Sequence, residues 1–414
     1  MTKIKLNDLY ECVESAIVAS GLGKVAVQAH RYLGFRPLQR FFAKKGQVYY
    51  SQKLVDEFVS ESLNASENNL ISDAQRRRIR RVAAMLREYK DTGTINWSRL
   101  PNYNTPSLAC KDFENTLTQH LLECQKRYSH RTVVHRKETV KQFLLYLEER
   151  GLRRLNRLNR KIISAYIPIV AKRRPGGMTD VIVALRSFLK YLHDNNRVDS
   201  ELASALPCCP SKRKKYIVGF TREEANALIG SVPSDTHYGK RNIAIFTLAE
   251  STGLRAVDVA NLKLKDIDWR NKTISAVQHK TRRPLILPFE NHVGNVLAEY
   301  ILHSRPECDS PFIFLSVRRP FRPIGRSAIT AAASKFVKLA GIESNSPIRK
   351  GFHCFRRGIG TWLLEAETPL SMISEILGHG HINSTKPYLS TDHEGLRECA
   401  ISLDGIEIRK GIFK

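Results

Sequence analysis

Apolar residues recur at helical spacing through most of this sequence, and that periodicity restricts the chain to a mainly helical fold. The first stripe consists of Leu6, Leu9, Tyr10, Val13 and Ile17. Their spacing places all five on one helix face. Gly21 and Gly23 are predicted to end this helix, because glycine is common just past a helix C-terminus.

Three longer stripes follow in the middle of the chain. They consist of Phe113, Leu117, Leu121 and Cys124; of Val140, Phe143, Leu144 and Leu147; and of Val181, Leu185, Phe188, Leu189 and Leu192. Leu158 to Val170 supplies a candidate fourth helix, and Thr179 is predicted to be the N-cap of the last one. We interpret this segment as a compact helical bundle.

The period changes after Leu262. Thr273–Val277 and Pro284–Leu287 predict two short strands around a basic turn. Helical spacing returns at Ser327–Leu339. Earlier in the chain, Thr221 and Glu224 fit a capping box at the start of the C-terminal domain. The sequence therefore predicts a mainly α fold with a small antiparallel β-sheet in its last third.

Two segments have the composition of linkers. Asn102–Ser107 is rich in turn-forming residues, and Pro207–Lys215 combines two prolines with four consecutive cations. We therefore predict an N-terminal helical basic extension of unknown role at 1–105, a helical domain at 108–205, a basic linker at 206–219 and a C-terminal domain at 220–414.

The charge of the chain indicates what it binds. Lys and Arg number 67 against 40 Asp and Glu, so the formal net charge is +27. Such an excess favours a polyanionic partner, most commonly nucleic acid. Five arginines lie between Arg76 and Arg81 on a predicted helix, either as a solvated face or as a face that contacts phosphates.

Several classes of protein are excluded at this stage. No apolar run approaches the roughly 18 residues of a membrane span, and the N-terminus lacks the apolar region of a signal peptide. We therefore expect a cytoplasmic protein with no membrane partner. The eight cysteines include no Cys-x-x-Cys pair, so reduced thiols are expected rather than a zinc site.

Five short motifs in the C-terminal domain carry residues suited to phosphodiester chemistry. In chain order they are Thr252–Asp258, Gln278–Thr281, His353–Arg357, Leu377–His379 and Thr385–Tyr388. Two arginines hold the non-bridging oxygens of a phosphodiester well, because guanidinium groups bind them bidentately and stay charged. Arg255 and Arg356 are the candidates.

The series of motifs resembles the tyrosine recombinase family, the phage integrases and related site-specific recombinases. Arg356 and His379 are 23 positions apart, and His379 and Tyr388 are 9 apart, as is typical of that family. Two positions depart from the family pattern. Arg357 stands where many members have a histidine, and Phe355 where leucine is frequent.

The resemblance covers about 220–395 strongly and 110–205 more weakly, and it does not cover 1–105. It implies the family's helical core-binding domain followed by a mixed α/β catalytic domain. It also implies the catalytic set Arg255, Lys280, His353, Arg356, His379 and Tyr388. Tyr388 would attack the scissile phosphate to give a 3′-phosphotyrosyl enzyme, with His353 as candidate base.

Two members of this set, Lys280 and His379, have competitors nearby, and Asp258 is a candidate supporting residue. Lys280 resembles the family's general acid, and neighbouring cations are expected to lower its pKa; Lys272 competes with it, and Arg282 or Arg283 offers phosphate contacts. His381 competes with His379 for the phosphate-binding role. Asp258 is expected to orient the site rather than react.

The resemblance also implies partners. These are double-stranded DNA, a homotetramer on DNA that exchanges the C-terminal tail (about Glu394 to Ile408), and accessory DNA-bending or directionality factors as further candidates. Neither cofactor nor metal is expected, because two successive transesterifications are nearly isoenergetic. We predict a recombinase or integrase of a mobile element. The alternatives are a type IB topoisomerase-like enzyme and a catalytically silent DNA-binding regulator.

Overall fold

The computed structural model describes residues 4–97, 100, 108–174, 177–198, 201–208, 219–279, 283–342, 350–379 and 385. These residues form two compact units. One contains residues from both ends of the chain, between 4 and 97 and between 219 and 385, and the other contains residues 100–208. Both predicted linkers lie largely outside the described residues.

Five helices make up the segment 4–97. They are α1 (Leu6–Ala19), α2 (Lys24–His30), α3 (Arg36–Lys44), α4 (Gln52–Glu67) and α5 (Asp73–Thr92), with one π-helical turn (Arg31–Phe35) between α2 and α3. All five residues of the predicted first stripe are buried in α1. The arginine-rich helix extends beyond its predicted core, from the Ser72 cap to Gly93 in left-handed conformation.

The second unit is the predicted helical bundle. Its helices are α6 (Lys111–Arg127), α7 (His130–Glu149), α8 (Arg160–Arg173) and α9 (Met178–Asp194). The predicted stripes form its core, in which Phe113, Phe143 and Phe188 are fully buried. The predicted N-cap Thr179 is wrong, because α9 begins at Met178 after Gly177. Glycine is itself acceptable at an N-cap, since it leaves the first N–H groups open to water.

The C-terminal segment of the first unit combines helices with a small sheet. The helices are α10 (Arg222–Gly230), α11 (His237–Thr252), α12 (Ala256–Ala260), α13 (Asn291–His303), α14 (Arg326–Leu339), α15 (His353–Glu365) and α16 (Leu370–Ile376). The strands are β1 (Ile267–Asp268), β2 (Thr273–Val277) and β3 (Pro284–Pro288), antiparallel in the order β1-β2-β3. The predicted fold class is thereby confirmed.

Helix α11 runs through the core of this segment. Residues on all its sides are buried, including Ala244, Ile245, Phe246 and Leu248. A helix that is apolar all round is stable only when neighbours cover every face. Helices α13 and α15 pack on it, and Phe246 stacks on Phe355 of α15 at 5.9 Å between ring centroids. This packing fixes the position of the C-terminal end of α11 relative to the N-terminal end of α15.

The N-terminal helices contact the C-terminal segment within the same unit. Arg322, on the loop before α14, donates a hydrogen bond to the carbonyl of Trp97. The guanidinium group of neighbouring Arg319 lies against Gly21, where a Cβ atom would clash with it.

The described helices include none that is both long and apolar enough to cross a bilayer.

Two buried histidines make the stability of the chain dependent on pH. His30 and His120 are each 2% exposed. Burial, followed by the charges of Arg78 and Arg81, lowers the pKa of His30 to about 4. Burial, followed by the charge of Arg136, lowers the pKa of His120 to about 4. Both imidazoles are therefore neutral in the folded protein at neutral pH.

We expect the free energy of unfolding to fall as the pH drops from about 6.5 towards 4. In that window the unfolded chain binds a proton at each site that the folded chain does not bind. Each histidine then removes about 2 kcal/mol between pH 7 and pH 5. Urea unfolding followed by circular dichroism at both pH values measures this loss.

His120→Phe should reduce the pH-dependent loss by about 2 kcal/mol, since the variant removes one titrating group. Leu121→Val is the matched control on the same helix, and it should lower stability equally at both pH values. An equal pH-dependent loss in wild type and His120→Phe would contradict the assignment of a neutral buried His120.

Candidate active site

Arg356 lies at the centre of the predicted site. It projects from the first turn of α15 and is 3% exposed. Its Nη1 donates to the carbonyl of Gly253 at 3.1 Å, and its Nη2 donates to the carbonyl of Leu377. One guanidinium group therefore joins the ends of α11 and α16 to the start of α15.

The end of α11 approaches α15 and α16 closely at Gly253. Its φ of +63° ends α11 in the left-handed region. A Cβ atom there would lie 3.1 Å from Leu377 and 3.2 Å from Ile359, and 3.8 Å from Cα of Arg356. Both the backbone angle and the close packing therefore favour glycine, and the next turn of chain carries Arg255.

Arg255 is the N-cap residue of α12, with extended backbone and a side chain 19% exposed. Its Nη1 lies 3.8 Å from Oδ2 of buried Asp258, one turn later. That distance is an ion pair but too long for a hydrogen bond, and within the described part of the chain neither buried atom has a hydrogen-bond partner. Because the side chain as a whole is 19% exposed, part of the guanidinium group is accessible to an anionic ligand.

Asp258 also anchors the hairpin between β2 and β3. Its Oδ1 accepts a hydrogen bond from the backbone N–H of His279 at 2.8 Å. The hairpin is closed by a hydrogen bond from Gln278 N–H to the carbonyl of Arg283 at 2.9 Å. One carboxylate thus contacts both Arg255 and the backbone of His279.

Gln278 connects this hairpin to the loop after α16. It is fully buried, and its amide donates to the carbonyl of Leu377 at 3.1 Å. Gly378 has φ +59°, and a Cβ atom there would overlap the Gln278 amide. The carbonyl of Leu377 therefore accepts from both Gln278 and Arg356, which fixes the position of His379.

His379 is held by its backbone and its side chain. Its N–H donates to the carbonyl of Ser374 at 2.8 Å, and its Nδ1 lies 2.7 Å from the hydroxyl of Thr385. Helix α16 is itself packed on α15 through a small apolar cluster of Ile359, Ile373 and Leu377. The backbone of His379 is therefore fixed by Ser374, and its imidazole is contacted by Thr385.

His353 is the first residue of α15, one turn before Arg356. The residue as a whole is exposed, but its ring is packed closely enough for desolvation to be the largest cause of a lowered pKa. The charges of Arg357, Arg356 and Arg255 lower the pKa further. The imidazole is therefore neutral at neutral pH, and the adjacent positive charges oppose its protonation.

Two members of the predicted set, Lys280 and Tyr388, lie outside the described residues, as does the competitor His381. The competitor Lys272 precedes β2, at the end opposite to Gln278. At about 3.3 Å per residue, the two ends of that strand are roughly 20 Å apart. Lys272 therefore lies far from the hydrogen bonds that organise this site.

Two residues of the site had no role assigned from the sequence. Gln278 continues the alternation of β2, in which Ile274 and Ala276 face the core, so a polar residue at the next inward position was a readable signal. Thr385 begins the Thr385–Tyr388 motif, but its contact with His379 depends on the tertiary fold and had no local signal. Among the described residues, no group of three or more His, Cys, Asp or Glu side chains is arranged to hold a metal.

Comparisons with known proteins identify the family of the chain. The model of the phage integrase family matches residues 219–394. "Putative integrase/recombinase y4gC" of Sinorhizobium fredii is 34% identical over 188 residues, which are 45% of this chain and 96% of the relative. "Tyrosine recombinase XerC" of Anoxybacillus flavithermus is 25% identical, over 69% of this chain and 95% of the relative.

Solved structures share the fold at lower identity. XerH site-specific recombinase in a post-cleavage complex with its palindromic difH substrate has a TM-score of 0.55 at 17% identity, covering 70% of this chain and 89% of that one. A lambda integrase tetramer bound to a Holliday junction has a TM-score of 0.54 at 16% identity, covering 82% and 90%. The chain belongs to the phage integrase family of tyrosine recombinases.

Proposed function

We propose that this chain cuts and rejoins DNA at a specific site through a 3′-phosphotyrosyl intermediate, with Tyr388 as the nucleophile. The observation that carries the proposal is the junction at Arg356, where the ends of α11 and α16 meet the start of α15. Three phosphate-binding candidates, Arg255, Arg356 and His379, lie on these adjoining segments in the order found in the family.

The phosphodiester is the electrophile. The phenol oxygen of Tyr388 forms a new P–O bond while the bond to the 5′-oxygen breaks, and negative charge grows on the non-bridging oxygens. Arg255 and Arg356 stabilise that charge because they are preorganised and do not lose their own. The exposed part of the Arg255 guanidinium group is suited to this contact, while its Nη1 faces Asp258.

Proton transfer accompanies the bond changes. A tyrosine is mostly protonated at neutral pH, and we assign the neutral imidazole of His353 as its base, with the negative charge of the bound phosphate offsetting the three arginines that oppose protonation of the ring. Lys280 donates a proton to the departing 5′-oxygen. Asp258 supports this step through the N–H of His279, the residue before Lys280.

The second step reverses the first with a different DNA strand. A 5′-hydroxyl attacks the phosphotyrosine, restores a phosphodiester and releases the tyrosine. One ester is exchanged for another in each step, so the proposed cycle consumes neither ATP nor metal.

DNA binding is the role we assign to the excess of cations. The net charge of +27 suits a polyanion, and the XerH and lambda integrase structures hold a difH substrate and a Holliday junction. We assign 108–205 to a clamp around the duplex, 206–219 to a basic linker, 220–414 to catalysis and 1–105 to a basic extension. A mobile element in the cytoplasm is the proposed setting, with accessory factors as candidate partners.

Four protomers are proposed to assemble on DNA by exchange of the C-terminal tail. The receiving surface is the edge strand β3, where Ile286 is 67% exposed beside a cavity of about 790 Å³. Ile401, Leu403 and Ile406 supply the apolar side chains of the tail, which lies outside the described residues.

Ile286→Asp and deletion of 395–414 should each lower four-protomer complexes on DNA at least about tenfold, because both remove apolar burial at one contact. Cleavage at a single site should persist. Sedimentation of the protein–DNA complexes measures the assembly. Leu302→Asp, at a residue 73% exposed on α13, is the matched control. Normal assembly of Ile286→Asp and of the 395–414 deletion would contradict tail exchange.

Tyr388→Phe should abolish covalent attachment to DNA, because it removes the nucleophilic oxygen. The site is first located by sequencing DNA recovered covalently bound to the wild-type chain. A nicked duplex carrying that site then traps the adduct, which denaturing electrophoresis resolves.

Tyr32→Phe is the matched control, since Tyr32 is 49% exposed on the N-terminal helices. It should form adduct as the wild type does. Persistence of the adduct in Tyr388→Phe would overturn the assignment of the nucleophile. A wild-type chain that binds DNA and yields no covalently bound fragment would support the silent regulator instead.

A further inference from the structure

Thr385 forms a contact with His379 that nothing in the proposed chemistry uses. Its Oγ1 lies 2.7 Å from Nδ1 of His379, and the residue is fully buried. A buried hydroxyl without a partner is costly, so this bond holds both side chains in place. Thr385 also lies three residues before Tyr388, on the segment that delivers the nucleophile.

The contact is at the nitrogen that decides the tautomer, because the threonine hydroxyl can either donate to Nδ1 or accept from it. A neutral imidazole has one N–H and one acceptor nitrogen. When the threonine hydroxyl donates to Nδ1, the proton of the ring lies on Nε2. Only that tautomer of a neutral histidine donates a hydrogen bond through Nε2, and a phosphate oxygen requires a donor.

The surroundings of His379 limit other ways to orient the ring. The backbone is fixed by the bond to Ser374, and the Gln278 amide fills the space over Gly378. The main chain therefore places the histidine, and Thr385 contacts its ring at Nδ1.

We propose that Thr385 is a positioning residue that holds His379 in the Nε2–H tautomer and joins it to the segment carrying Tyr388. The inference rests on the proposed function, in which His379 binds the scissile phosphate. It adds a specific task for a residue to which that function assigns none.

The first test reads the tautomer without catalysis. Nitrogen-15 spectra of the full chain with labelled histidine, at pH 8, should show His379 as the Nε2–H form, with the signal assigned by its loss in His379→Gln. Thr385→Val should shift that signal towards a mixture of tautomers, whereas Thr385→Ser should leave it unchanged. An unchanged signal in Thr385→Val would overturn the proposal.

The second test measures the single-turnover rate of adduct formation on the nicked duplex. Thr385→Val should be about tenfold slower, the effect of one lost hydrogen bond, and Thr385→Ser should recover to within about threefold of wild type. Thr116→Val is the matched control, because Thr116 is equally buried and its hydroxyl donates to the carbonyl of Asp112 at 2.7 Å in the other unit.

The two proposals fail in different ways. A serine variant as slow as the valine variant, or a valine variant as fast as wild type, overturns the positioning role while leaving the phosphotyrosyl mechanism intact. A wild-type chain that forms no adduct overturns the mechanism, and the tautomer spectra still decide whether Thr385 controls His379.

Discussion

The buried guanidinium group of Arg356 is the interaction on which the site depends. It bridges the carbonyl groups of Gly253 and Leu377, which belong to segments more than a hundred residues apart in the chain. A buried charge is costly unless it is hydrogen-bonded, and carbonyl oxygens satisfy guanidinium N–H groups without carrying a net charge of their own. The same side chain therefore organises the fold and supplies the positive charge that the proposed chemistry needs.

The packing around Arg356 explains why small residues are needed beside it. Gly253 and Gly378 both have positive φ, and a side chain at either would meet atoms of the site. Phe355, the neighbour of Arg356, is buried in the aromatic core with Phe246. The departure from the family pattern at Phe355 is thus accommodated by an aromatic neighbour. The first turn of α15 therefore carries both a residue of the candidate site, Arg356, and a residue of the core, Phe355.

Local features of this chain were predictable, and contacts between distant segments were not. The strand Thr273–Val277 and the capping box at Thr221 depend on neighbouring residues, and both are found as predicted. The hydrogen bond from Gln278 to Leu377 joins residues 99 apart, so no local pattern encodes it. The cap of α9 was misplaced because glycine and threonine are both acceptable there.

The candidate site shows the same difference between local features, which were predictable, and contacts between distant segments, which were not. The residue types and their intervals pointed to Arg255, Arg356 and His379, since each stands in a recognisable motif. The partners that hold them were only partly readable. Asp258 lies within the Arg255 motif and was expected to orient the site, whereas the contact of Thr385 with His379 exists only in the folded chain.

The central claim is that Tyr388 becomes joined to the 3′ end of a cut DNA strand. Nuclease and protease digestion of the wild-type adduct, followed by mass spectrometry of the linked peptide, tests it most directly. The account predicts one modified peptide, bearing a nucleotide on Tyr388 through its 3′-phosphate. Attachment through another residue, or to a 5′-phosphate, would contradict it.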